Sequence, residues 1–120
     1  MPTISRFENI EAWKTARQLT NLIYDLSDQG TFSKDFGLRD QIRRAAVSVR
    51  SNIAEGASRN SKKEFIQFLH ISLGSLAELE TQIYIAKRLK FITDSSEIEE
   101  LLEKLRRKLL NFIKYQKTSR

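Results

Sequence analysis

Residues 61–88 read SKKEFIQFLHISLGSLAELETQIYIAKR, an uninterrupted stretch with strong helical periodicity. Its apolar and small residues recur at alternating intervals of four and three positions: Phe65, Leu69, Ser72, Leu76, Leu79, Ile83 and Ala86. This spacing aligns them along one side of an α-helix. Ser61 and Glu64 precede this row at the spacing typical of a capping box, which marks a helix start. The stretch therefore predicts a long helix over residues 62–90.

Three further segments carry similar apolar rows and predict helices over residues 10–29, 37–55 and 96–117. Glycine readily adopts the left-handed conformation that closes a helix, so Gln29-Gly30 and Gly56 are the expected ends of the first two. A mean repeat of about 3.5 residues is typical of helices that pack at a shallow angle. We therefore predict an all-α fold in which residues 1–120 form one domain, an antiparallel up-and-down four-helix bundle.

Composition narrows the class of protein. The 120 residues include no cysteine, which excludes disulfide frameworks, thiolate metal sites and cysteine nucleophiles. The N-terminus lacks the apolar core of a signal peptide, and no apolar run approaches the ~20 residues of a membrane span. We therefore expect a cytoplasmic protein that does not enter a membrane. The net charge of +6 favours an acidic partner, with RNA or DNA the first candidates.

The predicted third helix has more apolar surface than one row requires. Ile66, Leu73 and Ile85 lie off the main row, and Gly74 stands in mid-helix, where glycine costs about 1 kcal/mol relative to alanine. A close approach by another subunit would explain both features. We therefore predict a homo-oligomer whose interface includes Ile66, Leu73, Gly74 and Ile85. The alternative is a wide intramolecular row with a tolerated glycine.

A polar row on the predicted second helix faces similar groups on the third. Arg44, Ser48 and Asn52 recur every four residues, and the third helix offers Ser75 and Glu78. Partly desolvated polar groups must find partners, so we expect an Arg44–Glu78 pair completed by hydrogen bonds from the other three side chains. Such a network fixes helix register more than it adds stability. We prefer this interpretation to a binding or catalytic site.

No motif of a known enzyme class is present. His70 is the lone histidine and lacks the Glu-x-x-His spacing of di-metal bundles. Phosphate-binding glycine loops, zinc-protease helices and nucleophile elbows are also absent from the sequence. We therefore predict a protein that is not an enzyme, with no catalytic residues, no metal and no cofactor.

Two groups of basic residues are candidate phosphate contacts, because guanidinium donors match phosphate oxygens in pairs. One group shares a side of the second helix, and the other lies in the fourth: Arg39, Arg43 and Arg50, then Arg106, Arg107 and Lys108. The alternative is a solvated face. The fourth helix begins with acidic and ends with basic residues, the order that the helix dipole favours.

The sequence resembles a known family, the 23S rRNA-intervening sequence proteins. The resemblance rests on FGLRDQIRRAA at residues 36–46, NIAEG at 52–56, SKKEF at 61–65 and GSLAELE at 74–80. It implies a bacterial four-helix bundle that assembles as a homopentamer and has no settled biochemical activity. A related protein by resemblance is the accessory variability protein of diversity-generating retroelements, which works with a reverse transcriptase and nucleic acid.

Three functional hypotheses follow. The first is a non-enzymatic, homo-oligomeric bundle that binds nucleic acid or organises a nucleoprotein complex. The second is a protein-interaction adaptor, for example for a reverse transcriptase or another polymerase, that does not itself bind nucleic acid. The third is an enzyme with an unrecognised site in the network around Arg44 and Glu78.

Overall fold

The computed structural model describes residues 10–119, which form four α-helices joined by short connections. The helices are α1 (Glu11–Ser27), α2 (Phe36–Ala57), α3 (Lys62–Arg88) and α4 (Ser96–Thr118), and a 3₁₀ helix, Phe32–Lys34, precedes α2. No strand occurs in this part of the chain. Each helix bound lies within two residues of the predicted one. Residues 1–9 and 120 of the predicted domain lie outside the described residues.

Side-chain hydrogen bonds mark where α2, α3 and α4 begin. Asp35 accepts a hydrogen bond from the Leu38 N–H at 3.1 Å, and Ser61 accepts one from the Glu64 N–H at 3.2 Å. Just before α4, Asp94 Oδ1 accepts hydrogen bonds from the N–H of Ser96 at 3.1 Å and from its hydroxyl at 2.7 Å. Each cap satisfies a donor that the first helical turn leaves without an intrahelical acceptor.

The four helices form a bundle 49 × 21 × 20 Å in extent. α1 packs against α2 and α4, while α3 packs against α2 and α4, and the contact between α2 and α3 is the most extensive. The predicted apolar rows supply the core, whose fully buried side chains include Leu19, Ile42, Leu76 and Leu105. Among the described helices, none combines the length and apolar character that a membrane crossing requires.

The end of α3 is closed by a left-handed lysine. Lys90 has φ +63°, its N–H donates to Lys87 O at 2.9 Å, and the Phe91 N–H donates to Ala86 O at 2.9 Å. This pair of bonds is a Schellman motif, in which glycine is the usual left-handed residue. Phe91 then stacks on Phe32 with ring centroids 5.2 Å apart, which anchors the connection to α4 against the 3₁₀ helix.

Of the two glycines predicted to end helices, only Gly30 has the left-handed conformation expected of it. Gly30 is left-handed, with φ +53°, three residues after the last residue of α1. Gly56 does not end α2, which continues to Ala57, so that prediction was wrong. A Cβ at Gly56 would stand 2.8 Å from Phe65 Cδ1, so glycine is required there because α3 approaches closely.

Candidate functional surfaces

A row of residues along α3 is left uncovered by the described chain. Ile71 is 50% exposed and Ile85 41% exposed, and Gly74 and Glu78 lie between them at helical spacing. We call these four residues the outer α3 face. A Cβ added to Gly74 would meet no atom of residues 10–119 within 4 Å outside its own helical surroundings, so nothing in that part of the chain explains this glycine. The outer α3 face therefore exposes apolar side chains, and between them Gly74 leaves a position without a side chain.

The predicted interface residues divide into two pairs. Gly74 and Ile85 are exposed and belong to the outer α3 face. Ile66 and Leu73 are half-buried, because they pack against the edge of the core. The second pair is therefore partly satisfied within the protomer, and only Gly74 and Ile85 are open to a partner.

A groove between α2 and α3 adjoins this face and is lined by Gln41, Arg44, Glu78 and Gln82. Arg44 and Glu78 are exposed, and neither forms a hydrogen bond or ion pair with any described residue. The expected Arg44–Glu78 ion pair is thus not made within the protomer. Gln82 is only 7% exposed, and among residues 10–119 its Oε1 atom has no hydrogen-bond donor. The groove therefore presents an unpaired cation, an unpaired anion and a buried unpaired acceptor.

The hydroxyl part of the polar row does join α2 to α3. The hydroxyls of Ser48 and Ser75 lie 2.8 Å apart, and Asn52 Nδ2 donates to Ser48 O at 2.8 Å and to Ser48 Oγ at 3.1 Å. Beneath them, Ser72 Oγ donates to Val49 O at 2.9 Å. These small side chains bring together Ser48, Asn52 and Ser75 as expected, but without the two charged members.

Two of the candidate phosphate contacts on α2 are held by other parts of the chain. Arg39 Nη1 donates to Ser33 O at 3.0 Å, and Arg43 Nε donates to Ser27 Oγ at 2.7 Å. Arg43 also lies over the Tyr24 ring, 4.6 Å from its centroid. The two arginine side chains are only 26% and 21% exposed. Their common side of α2 faces α1 and its connection, so these donors tie the helices together.

Arg50, the third candidate on α2, lies over an indole ring. Its guanidinium carbon is 5.9 Å from the centroid of Trp13, and that of Arg17 is 5.5 Å from the same centroid. Cation–π contacts at such partly exposed sites contribute about 0.5–1 kcal/mol each. Arg50 therefore also helps to hold α2 against α1.

The three cations of α4 point in different directions because successive helical residues are rotated by about 100°. Arg106 pairs with Glu80 on α3, while Lys108 Nζ donates to Thr15 Oγ1 on α1 at 3.0 Å. Arg107 is 61% exposed and has only a 3.8 Å ion pair with Glu103 on its own helix. These residues do not form one patch, and Arg107 is the member most open to a ligand.

Sequence reasoning missed a cavity at one end of the bundle, where α2 ends, α3 begins and α4 ends. We call it the end cavity; it measures about 230 Å³ and is lined by Arg59, Asn60, Ser61, Lys62, Phe65 and Gln116. Gln116 is only 8% exposed and continues the apolar row of α4. A polar residue in a core row was the signal that could have revealed this cavity.

Another groove, of about 480 Å³, lies between α1 and α4 and is lined mainly by polar side chains, three of them carboxylates. His70 is exposed on α3 and is not part of that lining. Within residues 10–119, no three histidine, aspartate or glutamate side chains come together as metal ligands. The groove therefore offers hydrogen-bonding groups but no imidazole.

Comparison with known proteins identifies a matching family and a solved structure with a similar fold. The model of the 23S rRNA-intervening sequence protein family matches residues 8–111. A crystal structure of a protein of unknown function from the S23 ribosomal protein family of Bacteroides thetaiotaomicron is 24% identical, with a TM-score of 0.76. The match covers 86% of this chain and 98% of that one, and at this identity it shows a shared fold. No protein with a curated description is significantly similar to the chain.

Proposed function

The chain belongs to the family of 23S rRNA-intervening sequence proteins, and from that premise we propose that it is a non-enzymatic scaffold. In this proposal it is an antiparallel up-and-down four-helix bundle that associates with copies of itself and binds nucleic acid. The observation that carries the proposal is the outer α3 face, where exposed apolar residues adjoin polar groups that lack partners in the protomer.

Two contacts support the antiparallel arrangement of α3 and α4. Lys87, near the end of α3, pairs with Glu99, in the first turn of α4, at 2.8 Å. At the opposite end, Lys62 at the start of α3 donates to Ser119 Oγ, just after α4, at 3.2 Å. Contacts at both ends support a pair of helices that run alongside each other in opposite directions.

Self-association is supported by the chemistry of the outer α3 face and its groove. Ile71 and Ile85 would bury apolar surface, and Gly74 would allow a partner helix to approach closely. Arg44 and Glu78 carry opposite charges on one surface, so copies related by rotation can pair the arginine of one with the glutamate of the next. The resemblance to the family implies five copies.

Nucleic-acid binding is supported by the charge left over after intramolecular pairing. The chain has a net charge of +6, and several exposed lysines have no acidic partner among the described residues: Lys34, Lys63, Lys90, Lys114 and Lys117. An oligomer repeats every such charge, which raises the attraction for a phosphate backbone. Arg107, the most open of the six candidate phosphate contacts, is available to add to this surface.

Light scattering with absorbance monitored at 260 nm tests the proposal, on samples purified with and without nuclease. We expect a mass that is a multiple of 14.0 kDa in both samples, and nucleic acid only in the untreated one. If about five phosphates are contacted, affinity for a duplex falls by roughly 500-fold over a fourfold rise in salt. A 14.0 kDa particle that binds neither duplex DNA nor structured RNA at low salt would refute the proposal.

A protein-interaction adaptor is the second candidate. Leu110 on α4 is 50% exposed, and it lies on a different helix from the outer α3 face. It offers a separate apolar contact for a partner such as a reverse transcriptase, the partner that the resemblance suggests. A protein complex that survives nuclease treatment and is lost in Leu110→Glu would favour the adaptor over the nucleic-acid scaffold.

A further inference from the structure

We propose that the end cavity binds a phosphate group. This inference goes beyond the proposed function, because the end cavity lies outside the outer α3 face and is complete within one protomer. The ligand is defined by its chemistry, a compact anion with several acceptor oxygens. Both free phosphate and the terminal phosphate of an oligonucleotide supply that group.

The start of α3 borders the end cavity, which Ser61 and Lys62 help to line. The first N–H groups of a helix have no acceptor within the helix, and the dipole places partial positive charge there. Ser61 Oγ already accepts from the Glu64 N–H, whereas the N–H groups of Lys62 and Lys63 have no acceptor among the described residues. Two donors are therefore left at the position where helices commonly bind phosphate.

Gln116 is the independent observation that indicates a ligand. Its side chain is more than nine-tenths buried, lines the end cavity and has no hydrogen-bond partner among residues 10–119. Its amide NH₂ group carries two donors, and no described residue accepts a hydrogen bond from either. A phosphate oxygen in the cavity would accept one of these hydrogen bonds.

Two cations border the same space. The Arg59 guanidinium is 43% exposed and 2.9 Å from Glu55, and it also lies over the Phe68 ring. The Lys62 ammonium donates to the hydroxyl and carbonyl of Ser119. Both cations keep donors free, since guanidinium has five and ammonium three. The end cavity thus combines backbone, amide and charged donors around one anion-sized volume.

The volume fits a phosphate group. A water molecule occupies about 30 Å³ of the liquid, so a cavity of about 230 Å³ accommodates a five-atom anion. Phe65, which is 4% exposed, forms an apolar wall and packs edge-on against Phe112 at 5.3 Å. An apolar wall lowers the local dielectric constant and so strengthens the hydrogen bonds to an anion.

Titration of the full-length protein with inorganic phosphate in low-salt chloride buffer, followed by calorimetry, tests the inference. We expect saturable binding that weakens by about tenfold in Lys62→Gln and in Gln116→Leu, as when one hydrogen bond to a charged group is lost. Leucine resembles glutamine in size and suits a buried position, and Lys62 is exposed, so at least one variant should fold. The matched control is Lys34→Gln, which removes the same charge far along the chain.

Further arms separate the two sources of phosphate. A 5′-phosphorylated oligonucleotide that competes with inorganic phosphate, beside an unphosphorylated one that does not, assigns the cavity to a nucleic-acid end. Competition by neither oligonucleotide assigns it to free phosphate. Absence of saturable phosphate binding overturns the inference, as does binding that Lys62→Gln and Gln116→Leu leave unchanged. These two negative results would leave the particle mass and duplex binding untested, so the proposed function is tested separately from the phosphate site.

Discussion

Gly56 on α2 and Phe65 on α3 lie so close that a Cβ atom on the glycine would stand 2.8 Å from Cδ1 of the ring. The same atom would stand 2.8 Å from Cβ of Phe68. Such a contact requires α2 or α3 to shift, because Cβ of Phe68 is fixed to the helix backbone. The contact between α2 and α3, the most extensive of the bundle, therefore depends on the absence of a side chain at Gly56.

Replacement of Gly56 by alanine should destabilise the protein. Overpacking costs about 1–3 kcal/mol, and the gain in helix propensity returns about 1 kcal/mol, so we expect a net loss of up to about 2 kcal/mol. Urea unfolding at fixed protein concentration measures this loss. Gly37→Ala is the control on the same helix, since its Cβ would meet only Asp35 Oδ1 at 3.9 Å. Equal stability of the two variants would show that α3 does not approach closely.

Lys90→Gly should stabilise the end of α3. The left-handed backbone at φ +63° is unfavourable for lysine by about 1–2 kcal/mol, and glycine loses part of that gain to chain entropy. We expect a net gain of about 1 kcal/mol, or a rise in Tm of about 4 °C. Lys90→Ala also removes the ammonium but keeps the Cβ atom, so it should give no gain. A rise of equal size in both variants would assign the effect to charge instead.

Arg44 and Glu78 should matter to assembly more than to folding. Both are exposed and unpaired within the described chain, so Arg44→Ala should change protomer stability by less than about 0.5 kcal/mol. Arg44→Glu should weaken self-association by like-charge repulsion, and the double variant Arg44→Glu/Glu78→Arg should restore it. Sedimentation velocity measures the effect, with Lys34→Glu as the charge control. Failure of the double variant to recover would exclude a pair between copies.

Two carboxylates near the start of α4 should make stability fall at low pH. The hydrogen bond from the Ser96 hydroxyl, followed by that from its N–H, holds the pKa of Asp94 below its ordinary value of 3.8. The hydrogen bond from Lys87, followed by that from Ser95, likewise lowers the pKa of Glu99 below 4.5. A lowered folded pKa stabilises the protein above the ordinary value, and this stabilisation is lost as pH falls through the folded value.

The variant Asp94→Asn isolates that effect. The difference in Tm between the wild type and the variant should be constant above about pH 5 and shrink below about pH 4. Asparagine keeps the acceptor oxygen for Ser96, so the cap itself is retained. Thermal unfolding followed from pH 7 to pH 2.5 gives the comparison. A difference that grows as the solution becomes more acidic would have the wrong sign for a lowered pKa.

The helical bundle could be predicted from the sequence because the signals for its helices lie within short segments of the chain. The apolar row from Phe65 to Ala86 and the cap at Ser61 depend on residues within a few turns of each other. Gly56 was misassigned because its role depends on α3, which lies near it only in the folded chain. Local sequence patterns predict the positions of helix ends well. They do not predict where two helices approach each other closely.

The candidate surfaces were only partly accessible for the same reason. Helical spacing correctly grouped Arg39 and Arg43 on one side of α2, but spacing does not tell which neighbour that side faces. The side faces α1, where Ser27 accepts from Arg43. Gln116 was overlooked because it is a polar residue in an apolar row, and its burial becomes visible only after the helices pack.

Sedimentation equilibrium of the wild type beside Ile85→Glu is the most direct measurement of self-association through α3. At micromolar concentration the wild type should have a mass several times 14.0 kDa, and Ile85→Glu should have the protomer mass. Leu110→Glu places the same charge on a residue of α4 that is somewhat more exposed than Ile85, and this variant should remain assembled. A wild type of 14.0 kDa at every concentration, or an Ile85→Glu particle as large as the wild type, would contradict assembly through this face.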